Sequence, residues 1–220
     1  MKRTLENHHR RIYVFRHGQT DWNKEGRIQG HLDIPLNESG RSQAVAMGLA
    51  LKRYLPEAFL SSDLSRAWVS AELAAQQISP SLPIEKDQRL REIHLGVLQG
   101  KTKAEIERDH GIDFSNRLRN KPLSDADVAA VGSESGQQVF QRAIAAIVDY
   151  LEQKSFARIA VATHGGVIRR LIQYSHKLNA EKEDYPAPIP NGIIYPFFVD
   201  LEKKVLLFSG QSELILEEPL

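Results

Sequence analysis

No cysteine occurs in this chain, so neither disulfides nor thiolate metal sites can contribute to its fold or chemistry. An excess of one charge is missing too: 29 Lys and Arg stand against 28 Asp and Glu, a formal net charge of +1. That balance argues against a surface dedicated to nucleic acid or anionic membrane, although it says nothing about local clustering. No apolar run approaches the about 18 residues that mark a bilayer-spanning helix. The basic, polar start MKRTLENHHRR leads into an apolar stretch too short for the core of a secretion signal. The expected address is therefore cytoplasmic, with no nucleic-acid or membrane partner. Internal repeats and low-complexity tracts are absent as well. What is present is ordinary for a globular protein: 220 residues, 41% hydrophobic and 26% charged, enough for one substantial domain.

Six short β-rich runs stand out, at 12–15, 58–61, 83–85, 158–162, 192–199 and 204–208. Helical periodicity fills the gaps at 39–54, 64–78 and 137–151, and again from Gly166 onward. The second of these opens after Ser62-Asp63, which reads as its cap. Strands alternating with helices predict an α/β fold: a three-layer sandwich with a mostly parallel central sheet flanked by helices. The last two runs are close enough to form an edge hairpin. Residues 92–135 fit the rhythm poorly, with a helical hint only at 101–109. They are expected to form an excursion over the active-site end of a single domain spanning 1–220, preceded by a solvated polar tail at 1–11.

Two of the apolar runs end unusually, as YVFRHG and IAVATHGG. Ligands of open α/β sheets sit beyond the carboxyl ends of strands, so neighbouring strands would bring His17 and His164 together there. Glycine after each histidine lets the backbone come close to a ligand, and the amides of a helix start favour an anion. Arg16 and Arg66 offer forked donors that match phosphate oxygens. Glu92, in LREIHLG, lies among apolar residues and is the candidate general acid, with Glu85, Glu105 and Glu134 as rivals. A nucleophilic imidazole, an arginine clamp and an acid together suit phosphoryl transfer through a phosphohistidine.

The successive blocks RHGQTDWNKEGRIQGHLDIPLNESGRSQA, SSDLSRAWVSAELA, LREIHLGVLQGK, GSESGQQVFQR and VATHGGVIRRL resemble those of the phosphoglycerate-mutase-like histidine phosphatase superfamily. The resemblance implies that His17 is the phosphorylated nucleophile, that Arg16, Arg66 and His164 complete the phosphate pocket, and that Glu92 is the proton donor. It places Thr20, Asn23, Gln29, Gly30 and Gly165 around a small phosphorylated substrate, and it implies no cofactor and no metal. Lys103 matches a lysine of the glycolytic mutases. However, those enzymes carry a longer insertion with an adjacent arginine pair, where this chain has only the separated Arg117 and Arg119. They also place asparagine where this chain has Gly166. Hydrolysis is therefore expected, with a mutase or a non-catalytic phospho-ligand binder as the alternatives. GVLQGKT is one residue too short between its glycines for a nucleotide-binding P-loop. His8, His9, His31, His94, His110 and His176 show no metal-ligand spacing, though His94 lies near enough to Glu92 to touch substrate. Selectivity is expected from 92–135 and from IPNG at 189–192.

Overall fold

The computed structural model describes residues 9–120, 123–177, 189–209 and 213–214. In chain order, the elements are β1 (His9–Arg16), α1 (Asp21–Glu25), α2 (Glu38–Leu51), β2 (Ala58–Ser61), α3 (Ser65–Gln76), β3 (Ile84–Lys86), α4 (Lys103–His110), α5 (Ile112–Asn120) and α6 (Asp125–Val131). There follow α7 (Gly136–Gln153), β4 (Arg158–Thr163), α8 (Gly165–Lys177), β5 (Ile193–Asp200), β6 (Val205–Phe208) and β7 (Glu213–Leu214). The sheet runs β3-β2-β4-β1-β5-β6, with β7 paired to β5. The first four strands are mutually parallel, and β5 and β6 form the expected antiparallel hairpin.

The continuous apolar run of β1 follows from its central place, because a parallel strand covered on both faces has no polar side. Ile12 and Val14 point into one core with Val139, Ala143, Ile147 and Leu151 of α7 and Val167, Ile168 and Leu171 of α8. Tyr13 and Phe15 point into the other, against Met47 and Leu51 of α2 and Ala71, Ala74 and Ala75 of α3. The three layers are thus helices, sheet and helices, as the alternation of elements implied. No helix among the described residues is long and apolar enough to cross a membrane.

Three expectations change. The polar tail gives up His9, Arg10 and Arg11 to β1, where they pair with β5; residues 1–8 lie outside the described residues. Ser62-Asp63 does not cap α3. Leu64 holds that position in extended backbone, and Asp33 accepts both the Ser65 amide and the Ser65 hydroxyl at 2.8 Å. Asp63 is drawn away into a bidentate pair with Arg91. The excursion is also more helical than the sequence suggested: α4, α5 and α6 fold around Leu98, Ile106, Phe114 and Val131. A core that small leaves little periodicity to detect. The capping boxes Thr102/Glu105 and Ser124/Asp127 were the available signals.

Candidate active site

Parallel pairing of β1 with β4 sets Arg16 opposite Thr163, so the two strand ends deliver His17 and His164 side by side. Their ring centroids are 5.1 Å apart, and both side chains are buried. The amide of His17 donates to the Thr163 carbonyl at 3.0 Å, and Asn191 Nδ2 donates to the His17 carbonyl. His17 Nδ1 donates to the Gly18 carbonyl at 2.6 Å, which leaves Nε2 as the ring's unprotonated nitrogen. The second ring is oriented by Ser62, whose Oγ lies 2.8 Å from His164 Nε2. Ser62 Oγ also accepts the Leu64 amide at 3.3 Å, so the hydroxyl fixes the ring through Nε2 and leaves Nδ1 for another partner.

Two arginines close the pocket. Arg66 is fully buried, with Nη1 and Nη2 donating to the carbonyls of Leu32 and Gly30, each at 2.8 Å. Arg16 Nη1 donates to the Ile189 carbonyl at 2.6 Å. Arg16 Nε, Arg66 Nε and His164 Nδ1 are buried and have no hydrogen-bond partner among the described residues. Buried polar nitrogens are almost always satisfied, so three orphans on neighbouring side chains leave hydrogen-bonding capacity for a ligand. Burial lowers Arg66 to about 10, against the opposing pull of Glu92 and Asp33, so it stays cationic at neutral pH. Burial, then the charges of Arg16 and Arg66, hold His17 well below the usual imidazole value. His164 is lowered for the same reasons, burial first.

Glu92 is an acid candidate at the site, set against the start of α8. Its Oε2 accepts the Gly166 amide at 3.1 Å and its Oε1 accepts the Ile93 amide at 2.9 Å. A Cβ on Gly166 would come within 2.3 Å of Glu92 Oε1, so this glycine makes room for the carboxylate. Of the rivals, Glu85 pairs with Lys154 and Glu105 caps α4, both outside the cavity, whereas Glu134 lines it. Glu134 is gripped by Arg142 at 2.8 and 2.9 Å. Burial alone would raise the Glu134 carboxyl, but the hydrogen bonds from Arg142 and from the His94 amide outweigh it and leave it lowered.

A cavity of about 490 Å³ opens beside these groups, with fully buried His164 outside its wall. Its wall includes Arg16, His17, Arg66 and Glu92, and also Asn23, Gln29 and Gly30. Thr20 stands back from it: its hydroxyl accepts the Asn23 amide at 3.2 Å and starts α1. Gly165 is not in the wall either; the next residue, Gly166, is. Gly18 serves chain packing instead of ligand approach, since a Cβ there would meet the Gly40 carbonyl at 2.1 Å. IPNG braces Arg16 and His17 through Ile189 and Asn191, and none of its four residues lines the cavity. His94 is likewise outside the wall. Lys103 lines it and pairs with Glu107, whereas Arg117 pairs with Asp127 away from it; the side chain of Arg119 lies outside the description.

Sequence reading missed Arg142. Besides Glu134, it donates to the carbonyls of Arg89, Arg91 and Glu92 at 2.6 to 2.9 Å. His31 Nε2 lies 2.8 Å from that same Glu92 carbonyl. The segment carrying the acid is thereby tied to α7. An arginine beside the apolar stripe of α7 was the only local hint. Among the described residues, no three histidine, aspartate or glutamate side chains converge as a metal site would require.

The buried histidines predict an acid-sensitive fold. Above about pH 6.5 the unfolded and native imidazoles are both neutral, and this stability is fully present. Below it the unfolded chain takes up protons that native His17 and His164 resist. Stability should then fall by up to about 1.4 kcal/mol per pH unit for each of them, until their lowered native values are reached. Urea unfolding at pH 7.5, 6.0 and 5.0 should show this slope, and His17→Asn should flatten it. An unchanged slope in the variant would mean that native His17 is readily protonated.

The histidine phosphatase superfamily (branch 1) family model matches residues 12–204. Phosphoglycerate mutase-like protein 4 of Arabidopsis thaliana is 38% identical over 164 residues, covering 74% of this chain and 69% of that protein. Glucosyl-3-phosphoglycerate phosphatase of Mycobacterium tuberculosis (strain CDC 1551 / Oshkosh) is 35% identical over 170 residues, covering 74% and 73%. The 2,3-bisphosphoglycerate-dependent phosphoglycerate mutase of Blochmanniella pennsylvanica is 28% identical over 224 residues, covering 90% and 95%. A mycobacterial glucosyl-3-phosphoglycerate phosphatase structure complexed with VO3 aligns with a TM-score of 0.75 at 28% identity, covering 93% of this chain and 98% of that one. The chain belongs to the histidine phosphatase superfamily.

Proposed function

We propose that this protein is a metal-independent phosphomonoesterase that hydrolyses a small phosphorylated metabolite through a phosphohistidine on His17. The observation that carries the reading is the set of three unpartnered buried nitrogens, two of them arginine N–H donors, beside an imidazole whose Nδ1 is already engaged. Arg16 Nε, Arg66 Nε and His164 Nδ1 are suited to holding the phosphoryl oxygens and the charge that develops on them. His17 Nε2 attacks phosphorus while the ester oxygen leaves and takes a proton from Glu92. The Glu92 carboxylate then accepts a proton from water as that water attacks phosphohistidine, releasing phosphate and restoring both groups. The arginines and histidines do the charge neutralisation that magnesium performs in other phosphoryl-transfer sites.

Hydrolysis is favoured over mutase chemistry by Gly166. An asparagine there, as in the mutases, would collide with Glu92 where it now stands. The mutase reading draws on the presence of Lys103 in the cavity wall and on the mutase relatives. One assay separates the two: 3-phosphoglycerate with a bisphosphorylated primer, free phosphate and isomer being measured in the same tube. Phosphate release should exceed isomerisation, chelators should leave the rate unchanged, and vanadate should compete with substrate. Isomerisation in excess would overturn hydrolysis, and an absolute need for added divalent ion would overturn the site chemistry.

A further inference from the structure

The cavity has two unlike ends. Arg16, His17, Arg66 and Glu92 occupy the one formed by the strand termini and the start of α8. The loop after α1 and the excursion supply Ile28, Leu95, Ile106, Leu118, Leu123 and Val128, with Ser115, Ser133 and Glu134 between them. Ile28, Leu95, Leu118 and Leu123 pack against the core formed by Leu98, Ile106, Phe114 and Val131, yet each keeps part of its surface uncovered. Apolar side chains anchored from behind and open in front present a preformed hydrophobic wall. Of the further cations in the wall, Arg27 is engaged with Glu25 and the Gly100 carbonyl, Lys103 with Glu107, and Arg170 with Gln173; Arg169 joins them from α8. A phosphoryl group fills only a small part of about 490 Å³. The remainder belongs to the leaving group.

Resting on the phosphatase reading above, we infer that the leaving group is an apolar alcohol: the substrate is a phosphate monoester of a hydrocarbon or aromatic alcohol whose body lies against Leu118, Leu123, Val128 and Ile106. Selectivity then comes from desolvation of the ester's apolar part, with the excursion acting as its receptor. Polar alcohols of similar size leave that wall in contact with hydroxyl groups and gain nothing from it.

The test is a series of ethyl, butyl and hexyl phosphates beside glycerol 3-phosphate, with p-nitrophenyl phosphate as a general reporter. The alkyl leaving groups differ little in acidity, so chain length reads burial alone. kcat/KM should rise with length by as much as about fourfold per methylene, the factor that corresponds to about 0.8 kcal/mol per buried CH2. Glycerol 3-phosphate should fall below butyl phosphate. The hexyl-to-ethyl ratio should drop about fivefold or more in Leu118→Gln, and again in Val128→Gln should the first variant fold poorly. A flat or falling series with p-nitrophenyl phosphate still hydrolysed, or a ratio unmoved by either folded variant, overturns this inference and leaves the phosphatase reading standing. No hydrolysis of any ester, with no phosphohistidine formed, removes the phosphatase reading itself and this inference with it.

Discussion

Replacing His17 by alanine should lower kcat by at least about 10⁴-fold, because it removes the imidazole that lines the cavity and would form the covalent intermediate. Nδ1 of this ring is committed to the Gly18 carbonyl, and burial beside two arginines keeps the ring neutral. Its Nε2 is thus a standing nucleophile that needs no separate base. Rapid acid-free quenching of the wild type with labelled substrate should trap a phosphoryl group that is acid-labile and base-stable, located on His17. The label on a serine or an aspartate would sink the mechanism. His164→Ala should also cripple turnover, but by a different route. It removes one of the three unpartnered nitrogens and leaves the nucleophile in place, so a weakened adduct should still form.

Glu92→Gln should cost about 10² to 10⁴-fold in the hydrolysis of alkyl phosphates, the usual worth of a general acid, and far less with an aryl phosphate that departs without protonation. The substitution also disturbs position. Glu92 now accepts two backbone amides, and a glutamine side chain can accept only one of them through its carbonyl oxygen. Gly166→Ala provides the complementary variant: the chemistry of Glu92 is retained while an added Cβ, 2.3 Å from Oε1, forces the carboxyl aside. It should show the same dependence on leaving group, at smaller magnitude. Equal losses with both leaving groups in Glu92→Gln would remove Glu92 from the acid role.

Much of this was legible along the chain. Each strand run and each long helix left a periodic trace, because a parallel sheet covered by helices forces apolar residues onto defined faces. Ile12 to Phe15 read as a buried strand for that reason, and the arrest of the run at Arg16-His17 pointed at the site. Where the core is small, the trace faded. α5 and α6 bury only Phe114 and Val131 in the shared core of the excursion, too little for a pattern to emerge.

The sequence by itself determined the order of the elements, the candidate nucleophile with its cationic neighbours, and the family whose blocks they follow. Those properties reside in consecutive residues and their spacing. Only the tertiary structure decided which groups meet and which nitrogen of the His17 ring is engaged. The commitment of Arg66 Nη1 and Nη2 to the carbonyls of Leu32 and Gly30 leaves Nε over, and nothing local to Arg66 specifies those partners. Asp33 caps α3 from a distant loop, and Arg142 of α7 ties down the segment that carries Glu92. Hydrogen bonds of this kind join residues some 30 to 50 positions apart. They exist only once hydrophobic burial has brought the layers together, so they leave no periodic signal in the chain.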